Sequence, residues 1–330
     1  MSLRVSSALL PEDSHARHDR LRQYFCDKDA TATRVDGEWE LDLAWPDAAE
    51  RHVDIKIEQH LAPWDGIGLS GMATARRRSG RVLTSLYDTW SLLTWSEWVA
   101  RAKPANDERI TILHLDDHRD LMSPRLAIAS DGLVDMITGR PFDVRDPESV
   151  RAACDSGAVG MGSFLTPFLL AFQNCDVRQL GQPPKIDETV DWEYRAGTEK
   201  DDLLRPGIDR PAIELRRTEG TGTGHYRATN SLTDWLAEVS DGPVLLHVDM
   251  DYFNNRYDGD GDWIDRIRKL DPPIDAVLAH IDDVTAAMRD AGLVERIRDA
   301  AVAFSPGFFP AEMWQPAEAR LRAGLQSLYE

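Results

Sequence analysis

The sequence predicts an α/β fold of three layers, in which a mostly parallel central sheet is covered by helices on both faces. Three observations carry this expectation. Short apolar runs alternate with longer segments of helical periodicity. The runs are apolar on both faces, as strands buried between two helical layers are. No repeat of solenoid length interrupts the order. At 330 residues and 42% hydrophobic content, the chain can also bury a large core.

Taken in order, the first 45 residues are polar and rich in turn formers, and read as an N-terminal extension. Strands are expected at "HVDIKIE" (52–58), "ITILHLD" (110–116), "PAIELRR" (211–217), "PVLLHVDMD" (243–251) and "AAVAFS" (300–305). Between them, "LYDTWSLLTWSEWVARA" and "DAVLAHIDDVTAAMRDAGLVERIRDA" carry helical periodicity, and Trp90, Trp95 and Trp98 fit a buried helix face. The stretch from about 176 to 210 is again polar and turn-rich, and reads as an insertion. A single domain over 1–330 is expected, with its core over about 50–310.

The formal net charge of -19 argues against a nucleic-acid groove or an anionic membrane as partner, because both reward clustered Lys and Arg. No apolar run reaches membrane-spanning length and the start does not read as a secretory signal, so a cytoplasmic protein is expected. Cys26, Cys154 and Cys175 are few, widely spaced and odd in number. They are expected to be reduced structural residues. A homo-oligomer is compatible with all of this.

The chemistry concentrates where two apolar runs end. "LHLDDHRD" places Asp116, Asp117, His118, Arg119 and Asp120 in five residues, and "LHVDMDYF" places Asp249 and Asp251 two apart. In extended backbone, residues two apart point the same way, so Asp249 and Asp251 converge, as do Asp116, His118 and Asp120. Buried carboxylates this close must be protonated, paired or holding a cation. With a histidine from a third strand end, for which His60 is the candidate, they make a hard, oxygen-rich ligand set that suits two Mn²⁺ better than a thiolate-rich zinc site. In open α/β sheets, ligands gather at the carboxyl ends of strands, where both clusters fall. His114 and His247, inside the runs, fit groups that orient carboxylates, or core histidines, better than ligands.

The order His, then D-x-H-x-D, then D-x-D, each at a strand end, resembles the arginase-type ureohydrolases of the arginase/deacetylase fold. "HVDIKIEQHLAPW", "TILHLDDHRDLMSP" and "LLHVDMDYF" are most similar to a branch that includes peptide arginases, which convert arginine to ornithine within ribosomally made peptides. The resemblance implies one manganese held by His60, Asp116, Asp120 and Asp249, and another by His118, Asp116, Asp249 and Asp251. It also implies that Asp120 takes a proton from the water between the metals.

The pattern departs from arginases proper at three places. Asn254 stands where they have a further Asp, no acid follows "AVAFSPGFFPA" until Glu312, and "GAVGMGSFLTPFLL" has no shuttle histidine. Asp65, Asn254 and Glu312 are the candidates for holding substrate, and an arginine-containing peptide is expected in place of free arginine, with rim loops 176–210 and 252–263 forming its groove. The alternatives are another C–N hydrolase of the same fold, agmatinase-like or deacetylase-like, and a metal-binding scaffold without catalysis.

Other motifs have plainer readings. "YDGDGDW" (257–263) lacks the glycine and glutamate of an EF-hand and reads as a mobile rim loop. "GTGTGHYR" (220–227) is not a phosphate-binding pattern, and His225 in it reads as a loop residue. "ARRRSGR" (75–81) is a solvated basic loop or, alternatively, a dock for an acidic leader peptide.

Overall fold

The computed structural model describes residues 3–218, 224–267 and 269–330. Strands β1 (Leu3–Ser6), β2 (Asp29–Val35) and β3 (Glu38–Ala44) form a small antiparallel sheet in the order β1-β3-β2. Next in the chain come β4 (Arg76–Ser79), β5 (Val82–Ser85) and β6 (Ile110–Leu115). A second small antiparallel sheet contains β7 (Leu126–Ala129), β8 (Gly132–Asp135) and β9 (Pro141–Phe142). The remaining strands are β10 (Cys175–Leu180), β11 (Val190–Lys200), β12 (Asp209–Arg217), β13 (His225–Thr229), β14 (Val244–Asp249) and β15 (Ile297–Ala303).

Nine strands build one mixed sheet in the order β12-β11-β13-β10-β6-β14-β15-β5-β4. The six from β13 to β5 are parallel to one another; β4 and β11 run antiparallel to them, and β12 pairs antiparallel with β11 at the far edge. Helix α1 (Ser14–Phe25) belongs to the N-terminal unit. The others are α2 (Trp90–Ala102), α3 (Pro147–Ser156), α4 (Leu165–Ala171), α5 (Leu232–Leu236), α6 (Ile274–Asp290), α7 (Trp314–Gly324) and α8 (Gln326–Tyr329). Helix α2 packs on β15 and against α3, whereas α6 packs against α7 and α5, an arrangement compatible with three α/β/α layers. No helix of the described residues is long and apolar enough to cross a membrane.

Several elements differ from the sequence-based expectation. The 52–58 stretch is not a strand: it runs from one short 3-10 turn, Ala49–His52, into another, Ile57–His60, and only His52, Asp54 and Ile57 of it are buried. The second helical segment stops at Asp290. Gly292, with φ +67°, turns the chain, and Ile297 opens β15.

The turn-rich stretch after 175 begins with β10, a fully buried central strand, so it is not wholly an insertion. Asp176, Arg178 and Gln179 made it look like a loop. They are buried because each is paired: Asp176 lies 3.0 Å from Arg178 Nε and accepts from His225 Nδ1 at 2.7 Å. Arg178 also donates to Trp235 O at 3.3 Å and Glu238 O at 3.1 Å. His225 therefore sits in a strand, not a loop, while residues 220–223 of the glycine-rich stretch lie outside the described residues.

The N-terminal 45 residues pack as a βαββ unit with its own apolar cluster, including Val5, Leu21, Phe25, Trp39 and Leu41, which reaches the rest of the chain through Leu203. Tyr24 O–H donates to Asp201 at 2.6 Å, and Arg51 Nε to Asp29 Oδ1 at 2.9 Å, so the unit is held at several points.

The Asp176 cluster yields a stability test. Burial alone would raise the Asp176 carboxyl, but the His225 hydrogen bond and the Arg178 charge outweigh it and hold the carboxyl below its ordinary value. Its stabilising contribution is therefore present at neutral pH and is lost as pH falls through that lowered value. Asp176→Ala leaves Arg178 buried without its counter-charge and is expected to cost about 3–5 kcal/mol at pH 7. Urea unfolding of both proteins at pH 7 and in acid checks this, with the gap narrowing in acid.

Candidate metal centre

The order of the sheet creates the site. From β6 the chain moves to β10 and β13 on one side, then returns to β14 and β15 on the other, so β6 and β14 flank a topological switch point. Such a point leaves a crevice at the carboxyl ends of the strands. The register pairs His247 with His114, which brings the Asp249 end of β14 level with the Asp116 end of β6.

Five of the sequence-assigned residues meet there: Asp116, His118, Asp120, Asp249 and Asp251. All but His118 are buried. Two groups of possible ligands overlap at Asp116: Asp88, Asp116 and Asp249 form one, and Asp116, His118 and Asp251 the other, with ligand atoms in each within 4.8 Å of one another. A third group joins His114, Asp116, Asp120 and His247, and a fourth joins Asp117, His118 and Asp258.

The backbone holds the carboxylates in place. His118 N–H donates to Asp116 Oδ1 at 2.6 Å, Asp251 N–H to Asp249 Oδ1 at 3.1 Å, and Asp117 N–H to Asp251 Oδ1 at 3.3 Å. Ser305, beyond β15, donates its hydroxyl to Asp249 Oδ2. Gln179 of β10 donates to the Asp116 and His118 carbonyls at 3.2 and 2.5 Å, and Tyr226 O–H fixes Gln179 Oε1 at 2.9 Å. Asp120 and Ser305 both have left-handed backbone, at φ 53° and 40°. For non-glycine residues that is strain of roughly 1–3 kcal/mol each, of the kind that clusters at functional sites.

Burial raises the Asp88, Asp116, Asp120 and Asp249 carboxyls well above their ordinary value, and mutual repulsion raises them further. At an effective dielectric near 20, two like charges 4 Å apart repel by about 4 kcal/mol. Asp88 Oδ1, Asp116 Oδ2 and Asp120 Oδ2 are buried without a hydrogen-bond partner. Orphaned carboxylate oxygens converging from the ends of β5 and β6 are what a hard cation needs, so the donor set fits a divalent metal.

The fourth group already holds a cation from the protein. Lys185 Nζ lies 2.9 Å from Asp117 Oδ2, 2.7 Å from Asp258 Oδ1 and 3.0 Å from His118 Nε2. His118 Nδ1 lies 2.9 Å from Asp251 Oδ2. Burial would lower the His118 imidazole, but Asp251, Asp116 and Asp258 more than offset it and raise it.

His114 and His247 lie side by side under the carboxylates, ring centroids 4.8 Å apart, with their Nδ1 atoms 2.9 Å apart. His114 Nε2 is 3.7 Å from Asp116 Oδ2 and 3.6 Å from Asp120 Oδ2. Burial pushes His114 down to about 4 and lowers His247 further, so both rings are neutral and retain a lone pair.

Other assigned residues stand elsewhere. His60 is half-buried at the end of a 3-10 turn, outside the four ligand groups and the cleft lining. Its expected position, a strand end, does not exist because 52–58 is not a strand. The candidate ligand from a further strand end is Asp88, three residues past β5, a lone acid in an apolar run whose periodicity is helical. Asp65 is exposed and lies off the cleft. Glu312 pairs with Arg256 at 2.5 Å, also off the cleft. Asn254 is buried and lines a smaller cavity of about 490 Å³ behind the cluster, sharing Asp251 with the main cleft.

The "YDGDGDW" loop is pinned through Asp258 to Lys185, His118 and Asn255. The basic run is committed as well: Arg76 lies over Trp90, Arg77 pairs with Glu318, and Arg78 with Glu97 and Asp299.

A cleft of about 970 Å³ leads to the cluster, with Asp88, Asp120, Asp249 and Asp251 on its floor. Leu121, Met122, Pro306 and Phe308 line part of its wall, and the N-terminal unit supplies Asp19, Arg22, Gln23, Cys26 and Asp27. Asp27 is buried, and burial pushes its carboxyl up to about 6 despite the hydrogen bond from Met161 N–H. Comparison with family models and with curated proteins gives no match.

Divalent metal should stabilise this protein, since it binds the folded arrangement of carboxylates and not the unfolded chain. Adding Mn²⁺ to chelator-treated protein is expected to raise the melting temperature by several degrees. Asp249→Asn removes a charge from the repelling group, so it is expected to leave the metal-free melting temperature equal or higher while abolishing most of the Mn²⁺ gain. Differential scanning calorimetry with and without metal checks both.

Proposed function

We propose that this chain is a dinuclear manganese hydrolase that cleaves the guanidino group of arginine residues in a peptide, giving ornithine and urea. The observation that supports it most is the pair of ligand groups sharing Asp116 at the foot of an open cleft. Asp88, Asp116 and Asp249 would hold one metal, and Asp116, His118 and Asp251 the other. Two such cations supply a water of lowered pKa and a positive field for charge developing at the reacting carbon.

The chain's own residues do the rest. Asp120 Oδ2, buried without a partner, accepts the proton of the attacking water. A C–O bond forms, the bond from carbon to the side-chain nitrogen breaks, and that nitrogen leaves as an amine once protonated. Met122, Pro306 and Phe308 give the cleft an apolar wall beside the acidic floor. Lys185 and Asn255 neutralise and hold Asp117 and Asp258, which keeps those carboxylates from competing for metal. A cleft of about 970 Å³ is at the upper end of the roughly 300–1,000 Å³ of small-ligand sites, room for more than one amino acid.

The group of His114, Asp116, Asp120 and His247 favours a second reading, a one-metal amidohydrolase, because two imidazoles and two carboxylates can satisfy a single zinc. Metal content and product separate the two. Mn²⁺-loaded protein is expected to contain two metals per chain and to release urea from arginine peptides with a higher kcat/KM than from free arginine. Asp116→Asn is expected to lower kcat at least about a thousandfold, since the shared ligand serves both metals. One tightly held zinc, with no urea formed, would move the protein to the second reading.

A further inference from the structure

Helix α1 turns one face to the cleft. Asp19, Arg22, Gln23 and Cys26 all line it, and their spacing of i, i+3, i+4 and i+7 is a single stripe running along the helix and into its cap. The stripe belongs to the N-terminal unit, so part of the cleft wall is built by residues the metal centre does not use.

The wall carries both signs, with Asp19 and Asp27 beside its arginines. Arg22, Arg51 and Arg119 line the cleft in a chain whose net charge is -19. Arg51 is committed to Asp29 Oδ1 at 2.9 Å and to the Cys26 carbonyl. Arg22 makes no side-chain hydrogen bond or ion pair among the described residues; partial burial and the Arg51 charge lower its guanidinium, against attraction from Asp29 and Asp19. Arg119 lies over the Trp192 ring at 5.0 Å and has no carboxylate partner among the described residues.

A ligand that was only cationic would satisfy the acidic floor but leave the Arg22 guanidinium unpaired. A ligand with a cationic reacting group and an anion a short distance away satisfies both. We infer that Arg22, supported by Arg119, is a specificity-determining residue that pairs with an acidic side chain flanking the reacting arginine of the peptide. This rests on the function proposed above. The pair would be made at the cleft mouth, partly in water, so its effect is moderate and falls with salt.

The test uses full-length Mn²⁺-loaded protein and capped pentapeptides with a central arginine flanked by Glu, Gln or Lys. Wild-type kcat/KM is expected to fall in the order Glu, Gln, Lys, with roughly tenfold between the extremes and most of it in KM. R22E is expected to reverse that order, and R22K to keep it. The same ranking in wild type and R22E overturns the inference. So does a result in which R22E removes only a preference for free arginine over agmatine, because that would assign Arg22 to an α-carboxylate. If no peptide yields urea, the proposed reaction fails. Fluorescence anisotropy of labelled Glu- and Lys-flanked peptides then decides the charge preference by itself, with tighter Glu-peptide binding to wild type than to R22E supporting it and equal binding refuting it.

Discussion

Repulsion among the carboxylates at the ends of β6 and β14 is the constraint around which this fold is arranged. Asp116, Asp249 and Asp251 are brought together by a register that also stacks His114 on His247, and Asp88 and Asp120 close the group. Each like-charged pair costs a few kcal/mol at such distances, against a total folding stability of roughly 5–15 kcal/mol. The chain tolerates this by fixing the acids with backbone N–H groups, by placing two left-handed residues beside them and by leaving oxygens unpartnered. A protein with no use for a cation would gain stability by replacing any one of these acids.

Beneath and around the cluster, polar groups are settled in pairs. Gln179 ties the Asp116–His118 turn to β10, and Tyr226 ties Gln179 to β13, so two central strands hold the turn that presents the ligands. Lys185 supplies a fixed ammonium to Asp117 and Asp258. It thereby separates carboxylates that are already neutralised from those that are not. Trp95 and Phe164 cover His247 from the α2 and α4 side, keeping both imidazoles dry and neutral. The N-terminal unit adds Arg22, with Asp19 and Asp27 beside it, to the wall over an acidic floor.

What could be read from the sequence followed the strength of local signals. "ITILHLD" and "VLLHVDMD" are continuous apolar runs ending in acids, so β6, β14 and five of the clustered residues were legible. β10 was not, because Asp176 and Arg178 are buried through partners far along the chain at His225, Trp235 and Glu238. The alternation in "HVDIKIE" imitates a strand, yet tight 3-10 turns there leave His60 away from the centre. Asp88 was hidden because the residues after it start a helix, and only the parallel pairing of β5 with β15 reveals that it follows a strand end. The sheet was expected to be mostly parallel and is mixed, since strands β4 and β11 reverse direction through turns that leave no distinct periodicity.

The central claim is that two metals share Asp116. A crystal structure of the Mn²⁺-loaded protein, with anomalous scattering recorded at the manganese edge, tests it most directly. Two anomalous peaks are expected about 3.5–4 Å apart, one against Asp88, Asp116 and Asp249 and the other against Asp116, His118 and Asp251. A single peak bounded by His114, Asp116, Asp120 and His247, or no peak at these carboxylates, would contradict the account.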